Sequence, residues 1–485
     1  MAPRNFRAFA LLGILLMLMP GAVSLGALPV TPSGASPAMA APTTQAAAPA
    51  ADVTLELSEQ DMVGYTGTFP VPFFVALGMR VDAVYPDAGF ALVSTRDPSL
   101  LQTLGDALPG ISFVARNGET RADTARWDTA QWDAAHWDAA QWDSAQWDAA
   151  TWDSAQWDSA QWDSAQWDSS QWDAAHWDGT RYRDATMDPG FGNDWLLGAM
   201  HAPQAWTVTT GYHALTICIV DSGIDATHPD LALNVKRLAD GSFGYDFITG
   251  TKDGMDDGGH GTVIAGIAAG VLGNGHGITG VSQAYVVSAK VINATGYGTE
   301  ADLALGIRWC VDTGGAKIIT LALHTEQDNP GVHDAVKYAK SKGALLLAAS
   351  GNDGNVCDKC VRFPAAYKEA LGVGASAPDG SRAPFSNGGD ELSFLAPGVQ
   401  IPGPWPGGGY VVGSGTSQAT GAAAGAAALV WAAKPSLSAD QVRDALQRNA
   451  KDAGDSGFDE EYGHGLLRLD RTLRALDLLG GHGEK

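Results

Sequence analysis

Short apolar runs that alternate with helical patterns are the feature that most restricts the fold of this chain. The runs are Leu215–Val220, Tyr285–Val287, Lys317–Ile319 and Ala344–Leu347, and helical patterns cover 263–269, 300–311, 331–341 and 419–433. Strands with no polar face are typical of parallel sheets that helices cover on both sides. The pattern predicts an α/β fold with a doubly wound, mostly parallel sheet and helices on both faces. Functional loops are expected at the carboxyl ends of its strands.

Three polar residues lie where such a sheet places reactive groups. Asp221 ends the first run in IVDSGID, His260 lies before a helix in GGHGTVIAG, and Ser417 begins an Ala-rich helix in GSGTSQATG. Each residue alone has a structural explanation, because these residue types are common in caps and turns. Together, in the order Asp, His, Ser, the motifs closely resemble the subtilisin-like serine peptidases of the subtilisin and thermitase type.

The resemblance implies a role for each of these residues. Ser417 would attack a peptide carbonyl, His260 would accept its proton, and Asp221 would fix the imidazole tautomer. Asn352 in LAASGNDG occupies the position of the family's oxyanion amide, beside the backbone N–H of Ser417. The implied activity is that of an endopeptidase with an acyl-enzyme intermediate and no catalytic cofactor.

The resemblance covers residues 188–472 and includes landmarks such as HAPQAW, DATHPDL and YGHGLLRLD. The chain departs from the family at Val263, where a second His is common, at Gln418, where Met is usual, and at Gly421-Ala422, which replaces Pro-His. None of these positions touches the proton-transfer path, so activity is still expected. The Gly-Thr-Ser-Gln-Ala context differs from Gly-x-Ser-x-Gly, which disfavours an α/β-hydrolase esterase.

Two segments correspond to those with which the family clamps an extended polypeptide substrate by strand addition. His324 stands where the family has Gly, so it either narrows the groove or lies as a solvent-facing loop residue, and the substrate preference stays open. The implied substrate-binding residues are Gly296, Tyr297, Gly298, Ala322, Leu323 and His324.

The family often binds structural calcium at a loop after the catalytic His, and VLGNGHGITG corresponds to that loop. Hard oxygen ligands from a Gly-rich loop suit calcium, although the same residues also suit ordinary turns. The implied ligands are the carbonyls of Leu272, His276 and Ile278, the side chain of Asn274, and the carboxylates of Asp188 and Asp230.

The four cysteines divide into two pairs by their sequence context. Cys357 and Cys360 lie three positions apart with no further zinc ligand near them in the sequence, so a local disulfide is favoured over a metal site. Cys218 on a buried strand and Cys310 on a helix are expected to be packed thiols.

The amino-terminal region predicts export and processing. Arg4 and Arg7 precede an apolar run at 8–19, and Ala38-Met39-Ala40 offers a cleavage site, so 1–40 is predicted to be a signal peptide of a secreted protein. An uncleaved membrane anchor is the alternative.

An Ala/Pro/Thr linker follows the predicted signal peptide at 41–51. The segment 52–121 has strand patterns at 53–57, at 84–85 and 90–93 around a Pro-Asp-Ala-Gly turn, and at 111–114, with a helix at 98–108. It predicts a small α+β domain in the propeptide position. It is implied to be a folding template and inhibitor that self-cleavage removes.

A Trp-Asp-x-x-x repeat runs eleven times from Trp127 to Asp178, within a segment at 122–187. A period of five gathers the rings on one side of neither a helix nor a strand, which favours an extended, acidic, low-complexity linker. A small solenoid similar to pentapeptide-repeat proteins and a row of aromatic faces that stacks on sugars remain open. The peptidase domain is predicted at 188–479, with a tail at 480–485.

The charge balance restricts the partners. The chain carries 30 Lys and Arg against 54 Asp and Glu, a formal charge of -24, and it stays acidic without the eleven repeat aspartates. Such a balance repels phosphate backbones, so nucleic acid is not expected as a partner. We also expect a monomer with no stable membrane insertion once the signal is removed.

The leading hypothesis is a secreted serine endopeptidase made as a precursor. The alternative is a surface-attachment or binding protein in which the Trp repeat carries the function and the peptidase only matures it.

Overall fold

The computed structural model describes residues 60–122, 126–132, 188–191, 194–357 and 359–479, with the backbone alone for 126–132. The predicted signal peptide, the linker, the strand pattern at 53–57, the repeat beyond Trp132 and the tail lie outside these ranges. The chain divides into two compact units, one up to Asn117 and the other from Gly118 onwards.

The amino-terminal unit contains a four-stranded antiparallel sheet in the order β2-β3-β1-β4. Phe74 and Leu101 pack from two helices against Val63 and Val93 of the sheet, which gives the small α+β arrangement predicted from the sequence. The first helix was not predicted. The elements are β1 Gln60–Tyr65, α1 Val71–Ala76, β2 Arg80–Tyr85, β3 Phe90–Ser94, α2 Pro98–Ala107 and β4 Ile111–Arg116.

The second unit is built on a sheet of seven described strands in the order β15-β14-β13-β11-β7-β9-β8, and every neighbouring pair is parallel. Its strands are β7 Thr216–Asp221, β8 Gly244–Asp246, β9 Tyr285–Lys290, β11 Ile318–Leu321, β13 Leu345–Ala349, β14 Ala370–Ser376 and β15 Leu392–Pro397. All six residues of β7 are buried, as expected for a strand covered on both faces. The predicted doubly wound α/β fold is confirmed.

Helices flank this sheet, and one of them passes through the core. The helices are α3 Trp195–Ala199, α4 Ala202–Trp206, α5 His260–Ala269, α6 Glu300–Asp312, α7 Pro330–Ser341, α8 Thr416–Ala433, α9 Ala439–Arg448 and α10 Leu469–Ala475. Sixteen residues of α8, from Thr416 to Trp431, are buried. Small residues allow this burial, because a Cβ at Gly425 would lie 2.6 Å from the carbonyl oxygen of Ala268 on α5.

Two three-stranded sheets complete the second unit. In the first, β5 Glu119–Ala122 lies between β10 Tyr297–Thr299 and β12 Leu323–Thr325 and is antiparallel to both. In the second, the hairpin of β16 Ile401–Trp405 and β17 Gly409–Ser414 pairs with β6 Arg126–Trp132. Neither β5 nor β6 was predicted from the sequence.

Both cysteine pairs are disulfides. Cys357 is bonded to Cys360, as expected. Cys218 on β7 is bonded to Cys310 on α6, so the expectation of two packed thiols was wrong. The helix packs over the strand and brings the two Cα atoms to 5.7 Å, which is within the range that a disulfide spans. Among the described residues, the helices are too short or too polar for any of them to cross a bilayer.

Candidate active site

The end of β7 and the start of α5 bring Asp221 and His260 together. The imidazole Nδ1 of His260 lies 2.7 Å from Oδ1 and 2.8 Å from Oδ2 of Asp221. Both residues are buried. An ionised carboxylate only accepts hydrogen bonds, so this pairing places the proton of a neutral imidazole on Nδ1 and leaves Nε2 as the acceptor.

Ser417 lies in the first turn of α8, which runs beside α5 in the same direction. Gly421 lies four residues after Ser417 and contacts Ile264, four residues after His260. Gly425 and Ala268 repeat the contact one turn later. Because residues four apart lie on one face of a helix, this register sets Ser417 beside His260 at one end of the helix pair. The Oγ of Ser417 donates to the carbonyl oxygen of Ala322 at 3.1 Å.

Asn352 follows the buried strand β13 and is tied to the start of α8. Its Oδ1 accepts hydrogen bonds from the backbone N–H of Thr416 at 3.0 Å and from the Thr416 hydroxyl at 3.1 Å. The two contacts orient the amide, so that its NH₂ group is the part of the side chain able to donate to a ligand. The structure therefore brings Asn352 next to the residue that precedes Ser417.

Asp256 organises the loop before His260, and the sequence reasoning missed it. Its Oδ1 accepts from the Ser222 hydroxyl at 2.8 Å and from the backbone N–H groups of Gly258 and Gly259. Its Oδ2 accepts from the backbone N–H and the hydroxyl of Thr262, at 2.9 and 2.6 Å. One buried carboxylate thus joins the residue after Asp221 to both sides of His260. The Asp-Asp-Gly-Gly sequence before His260 is the signal that could have revealed it.

The backbone conformation and the packing at position 259 require a glycine. It has a φ of 94°, a conformation that favours glycine, and a Cβ there would lie 2.4 Å from the Trp405 ring. The hairpin therefore packs directly against the loop that carries His260.

The predicted substrate-binding segments lie on or next to β10 and β12, and β5 pairs with both strands between them. Ala122 pairs with Leu323, and its N–H donates to the carbonyl of Gly296 at 3.0 Å. The hydroxyl of Thr120 donates to the carbonyl of His324 at 3.2 Å. The remaining members of the two segments are placed as follows: Tyr297 and Gly298 lie on β10, and Ala322 precedes β12 beside Ser417.

His324 lies within strand β12 and not in a loop, and its side chain is 14% exposed. Its Nε2 lies 3.9 Å from the carboxylate of Glu326. The opposite residue on β5 is Arg121, whose guanidinium lies 5.3 Å from the centre of the Tyr297 ring. The Arg121 side chain of β5 therefore lies beside the aromatic ring of Tyr297, a contact of the cation–π type.

Two of the predicted calcium ligands, Asp188 and Asp230, both contact the 272–278 loop. Asp188 accepts from the N–H groups of Gly273 and Gly275 at 2.7 and 2.9 Å. Asp230 accepts from the Asn274 amide at 2.8 Å and from the N–H of Ile278 at 2.9 Å. The two carboxylates thus hold the 272–278 loop, which includes His276. Among the described residues, no group of three or more His, Cys, Asp or Glu side chains is arranged to hold a metal, so any ion here would depend on carbonyl and amide oxygens as well.

Burial and negative charge alter the pKa values of two groups beside this loop. Asp188 and Asp230 are both buried, and burial raises the pKa of Asp230. Burial and the negative charges of Asp230 and Asp188 together raise the pKa of Tyr410 far above its usual range. The contacts described for the two carboxylates are with N–H and hydroxyl donors, so a calcium ion, which prefers oxygen ligands, would have to replace some of these hydrogen bonds.

Comparisons with known proteins identify the family of this chain. The model of the subtilase family matches residues 213–465. The chain is 37% identical over 275 residues to minor extracellular protease Epr of Bacillus subtilis, which covers 56% of this chain and 41% of that protein. It is 35% identical over 281 residues to subtilisin Savinase of Lederbergia lenta, covering 58% and 98%. It is 37% identical over 259 residues to thermitase of Thermoactinomyces vulgaris, covering 53% and 88%.

The chain thus spans less than half the length of Epr but nearly all of subtilisin Savinase. The shared region contains the parallel sheet and the helices that carry Asp221, His260 and Ser417. The chain belongs to the subtilase family and is a subtilisin-like serine endopeptidase, a hydrolase.

Proposed function

We propose that the chain is a secreted endopeptidase, made as a self-processed precursor, that cleaves extended polypeptides with Asp221, His260 and Ser417. The observation that carries the proposal is the position of His260, which lies between the buried Asp221 carboxylate and the helix end that bears Ser417. The word "extracellular" in the name of the Bacillus subtilis relative supports secretion.

Each group would act at a stated atom. His260 Nε2 takes the proton of the Ser417 hydroxyl as Oγ attacks the substrate carbonyl, and Asp221 stabilises the imidazolium that forms. The NH₂ group of Asn352 and the backbone N–H of Ser417 donate to the oxyanion, aided by the positive end of α8. His260 then protonates the leaving amine. Water hydrolyses the acyl-enzyme by the same proton transfers in reverse.

The segment 52–121 would act as propeptide, and β5 supports that role. β5 pairs with β10 and β12 by backbone hydrogen bonds, as an added substrate strand would, and its chain direction leads towards Ser417. Ala122, the last residue of β5, is opposite Leu323, and the neighbouring Ala322 accepts a hydrogen bond from Ser417, so the carboxyl end of β5 lies on the side of the nucleophile. The precursor would therefore inhibit itself with a substrate-like strand until self-cleavage.

A structural calcium ion would stabilise the fold without taking part in the chemistry. The carboxylates of Asp188 and Asp230, the Asn274 side chain and the carbonyls of Leu272, His276 and Ile278 would hold it. When bound, the ion would offset the charge of the two buried carboxylates.

A fluorophosphonate probe tests the catalytic assignment, because it forms a covalent bond with an activated serine. We expect labelling of the processed wild-type enzyme and none of the Ser417→Ala variant. Ser381→Ala, which removes a serine in a turn whose hydroxyl contacts Asp379, is the matched control and should label normally. Labelling of Ser417→Ala at the wild-type level would reject the assignment.

Most of the Trp repeat lies outside the described residues, so the alternative role in attachment stays a prediction.

A further inference from the structure

The first unit of the Trp-Asp repeat already pairs with the peptidase domain. Strand β6 contains Trp127 and Asp128, and its backbone is antiparallel to β17. Arg126 is opposite Ser414, Trp127 is opposite Gly413, and Trp132 is opposite Tyr410. The repeat is therefore more than a spacer at this end, because its first unit adds a strand to a sheet.

The position of β17 relates this contact to the reaction. Ser414 ends β17 and lies three residues before Ser417. Strand β5 ends at Ala122 on one side of the site, and β6 begins at Arg126 on the strand that leads into the nucleophile. A substrate that paired with β10 and β12 as β5 does would run in the same direction. β5 therefore lies on the acyl side of the bond to be cleaved, and β6 on the leaving-group side.

The edge of β17 is suited to strand addition. β16 contains Pro402 and Pro404, which have no N–H to donate, whereas β17 contains no proline. The hairpin is also held in place, because the imidazole of His228 contacts the carbonyl of Gly409 at 3.0 Å and the N–H of Gly407 donates to Asp225 at 2.9 Å. An edge fixed in this way needs little reordering when a strand binds.

The eleven units share the sequence pattern of the first one, whose backbone pairs with β17. Strand addition relies on main-chain hydrogen bonds, and each unit repeats Trp-Asp followed by mostly small or polar residues. Any unit with the same sequence pattern can therefore take the place of the first one. A cut between Ala122 and Arg126 would leave the whole repeat attached to the peptidase domain, at the high local concentration that a tether provides.

We propose that β17 is a strand-addition site on the leaving-group side of Ser417, and that Trp-Asp units bind there in the processed enzyme as tethered inhibitors that compete with long substrates. The proposal depends on the proposed peptidase function. It predicts selective inhibition, because only a substrate with several residues beyond the scissile bond needs the β17 edge. A substrate whose leaving group is a single p-nitroaniline does not need it.

Steady-state kinetics with two substrates test this proposal. One is a quenched fluorescent peptide with five residues after the scissile bond, and the other is a p-nitroanilide with the same residues before it. Deletion of 127–178 from the processed enzyme should lower KM for the long peptide by at least fivefold and leave KM for the p-nitroanilide and both kcat values unchanged. An equal KM in the deleted and complete enzymes would overturn the proposal.

Two matched variants distinguish inhibition by strand pairing from inhibition by the mere bulk of the repeat. In one, the repeat is replaced by a Gly/Ser/Asp segment of equal length and charge; in the other, the third residue of every unit becomes proline, as in Thr129→Pro and Ala134→Pro. Both should behave like the deletion, because neither can add a strand in the same way. Inhibition that persists in either one overturns the proposal. The peptidase function is tested separately by hydrolysis of the p-nitroanilide. If this activity is lost in Ser417→Ala and kept in the repeat variants, the peptidase function stands even where the proposed inhibition is not observed.

Discussion

Gln418 is a buried polar side chain next to Ser417. Neither its Oε1 nor its Nε2 has a hydrogen-bond partner among the described residues. A buried amide without partners costs about 1–3 kcal/mol, and an apolar side chain of similar shape avoids that cost. We expect Gln418→Met to raise the free energy of unfolding by about 1–3 kcal/mol, measured by thermal unfolding in a Ser417→Ala background that prevents autolysis. Gln327→Met, at an exposed position, should change little, and a fall in stability for Gln418→Met would contradict the argument.

The buried carboxyl group of Asp194 should make the stability of the folded protein depend on pH. It begins α3, accepts from the N–H of Leu196 at 3.1 Å, and burial raises its pKa to about 7. Its pKa in the unfolded chain is near 3.8, so the unfolded state loses this proton first as the pH rises. The stability of the wild type should therefore fall between about pH 4 and pH 7, relative to Asp194→Asn, by up to a few kcal/mol. Thermal midpoints across this range, again in Ser417→Ala, measure the difference. Parallel pH curves for the two proteins would contradict it.

At the scale of the elements, the sequence predicted the strands and helices that have a local pattern of apolar residues. β7, β9, β11 and β13 each contain an apolar run, so their burial on both faces could be predicted from the residues alone. β5 was not visible, because Glu119-Thr120-Arg121-Ala122 has no apolar pattern and is a strand only through bonds to β10 and β12. The Cys218–Cys310 disulfide joins residues 92 positions apart, a contact that no local pattern reports.

The loop before His260 depends on Asp256, which accepts five hydrogen bonds through its two oxygens. Asn at this position keeps one acceptor oxygen and turns the other side of the group into a donor, so one set of contacts is lost. A small displacement of a catalytic base costs up to about a hundredfold in rate. We expect Asp256→Asn to lower kcat about ten- to a hundredfold with a smaller change in KM. Asp253→Asn, an exposed neighbour, is the control, and unchanged kcat in Asp256→Asn would contradict the prediction.

The 272–278 loop predicts a response to metal removal. If calcium binds at Asp188 and Asp230, it stabilises the folded state according to its free concentration, by about 3 kcal/mol at one hundred times its dissociation constant. Chelation by EGTA should therefore lower the thermal midpoint of the Ser417→Ala protein by several degrees, and added calcium should restore it. Asp188→Asn should remove most of this response, whereas Asp379→Asn, in a distant turn, should keep it. A midpoint that does not depend on calcium would exclude the site.

At the scale of the whole molecule, β5 ends opposite Leu323 near Ser417, and β6 begins opposite Ser414, three residues before Ser417. This arrangement predicts where the precursor is cut. Mass spectrometry of the processed protein should find a new amino terminus between Asp123 and Arg126, and the Ser417→Ala precursor should stay intact. Ala122→Pro removes the N–H that donates to Gly296 and should slow processing at least tenfold, whereas Ala122→Val keeps that donor and should be processed normally. A terminus beyond Asp178 as the first product would show that β5 does not present the cleaved bond.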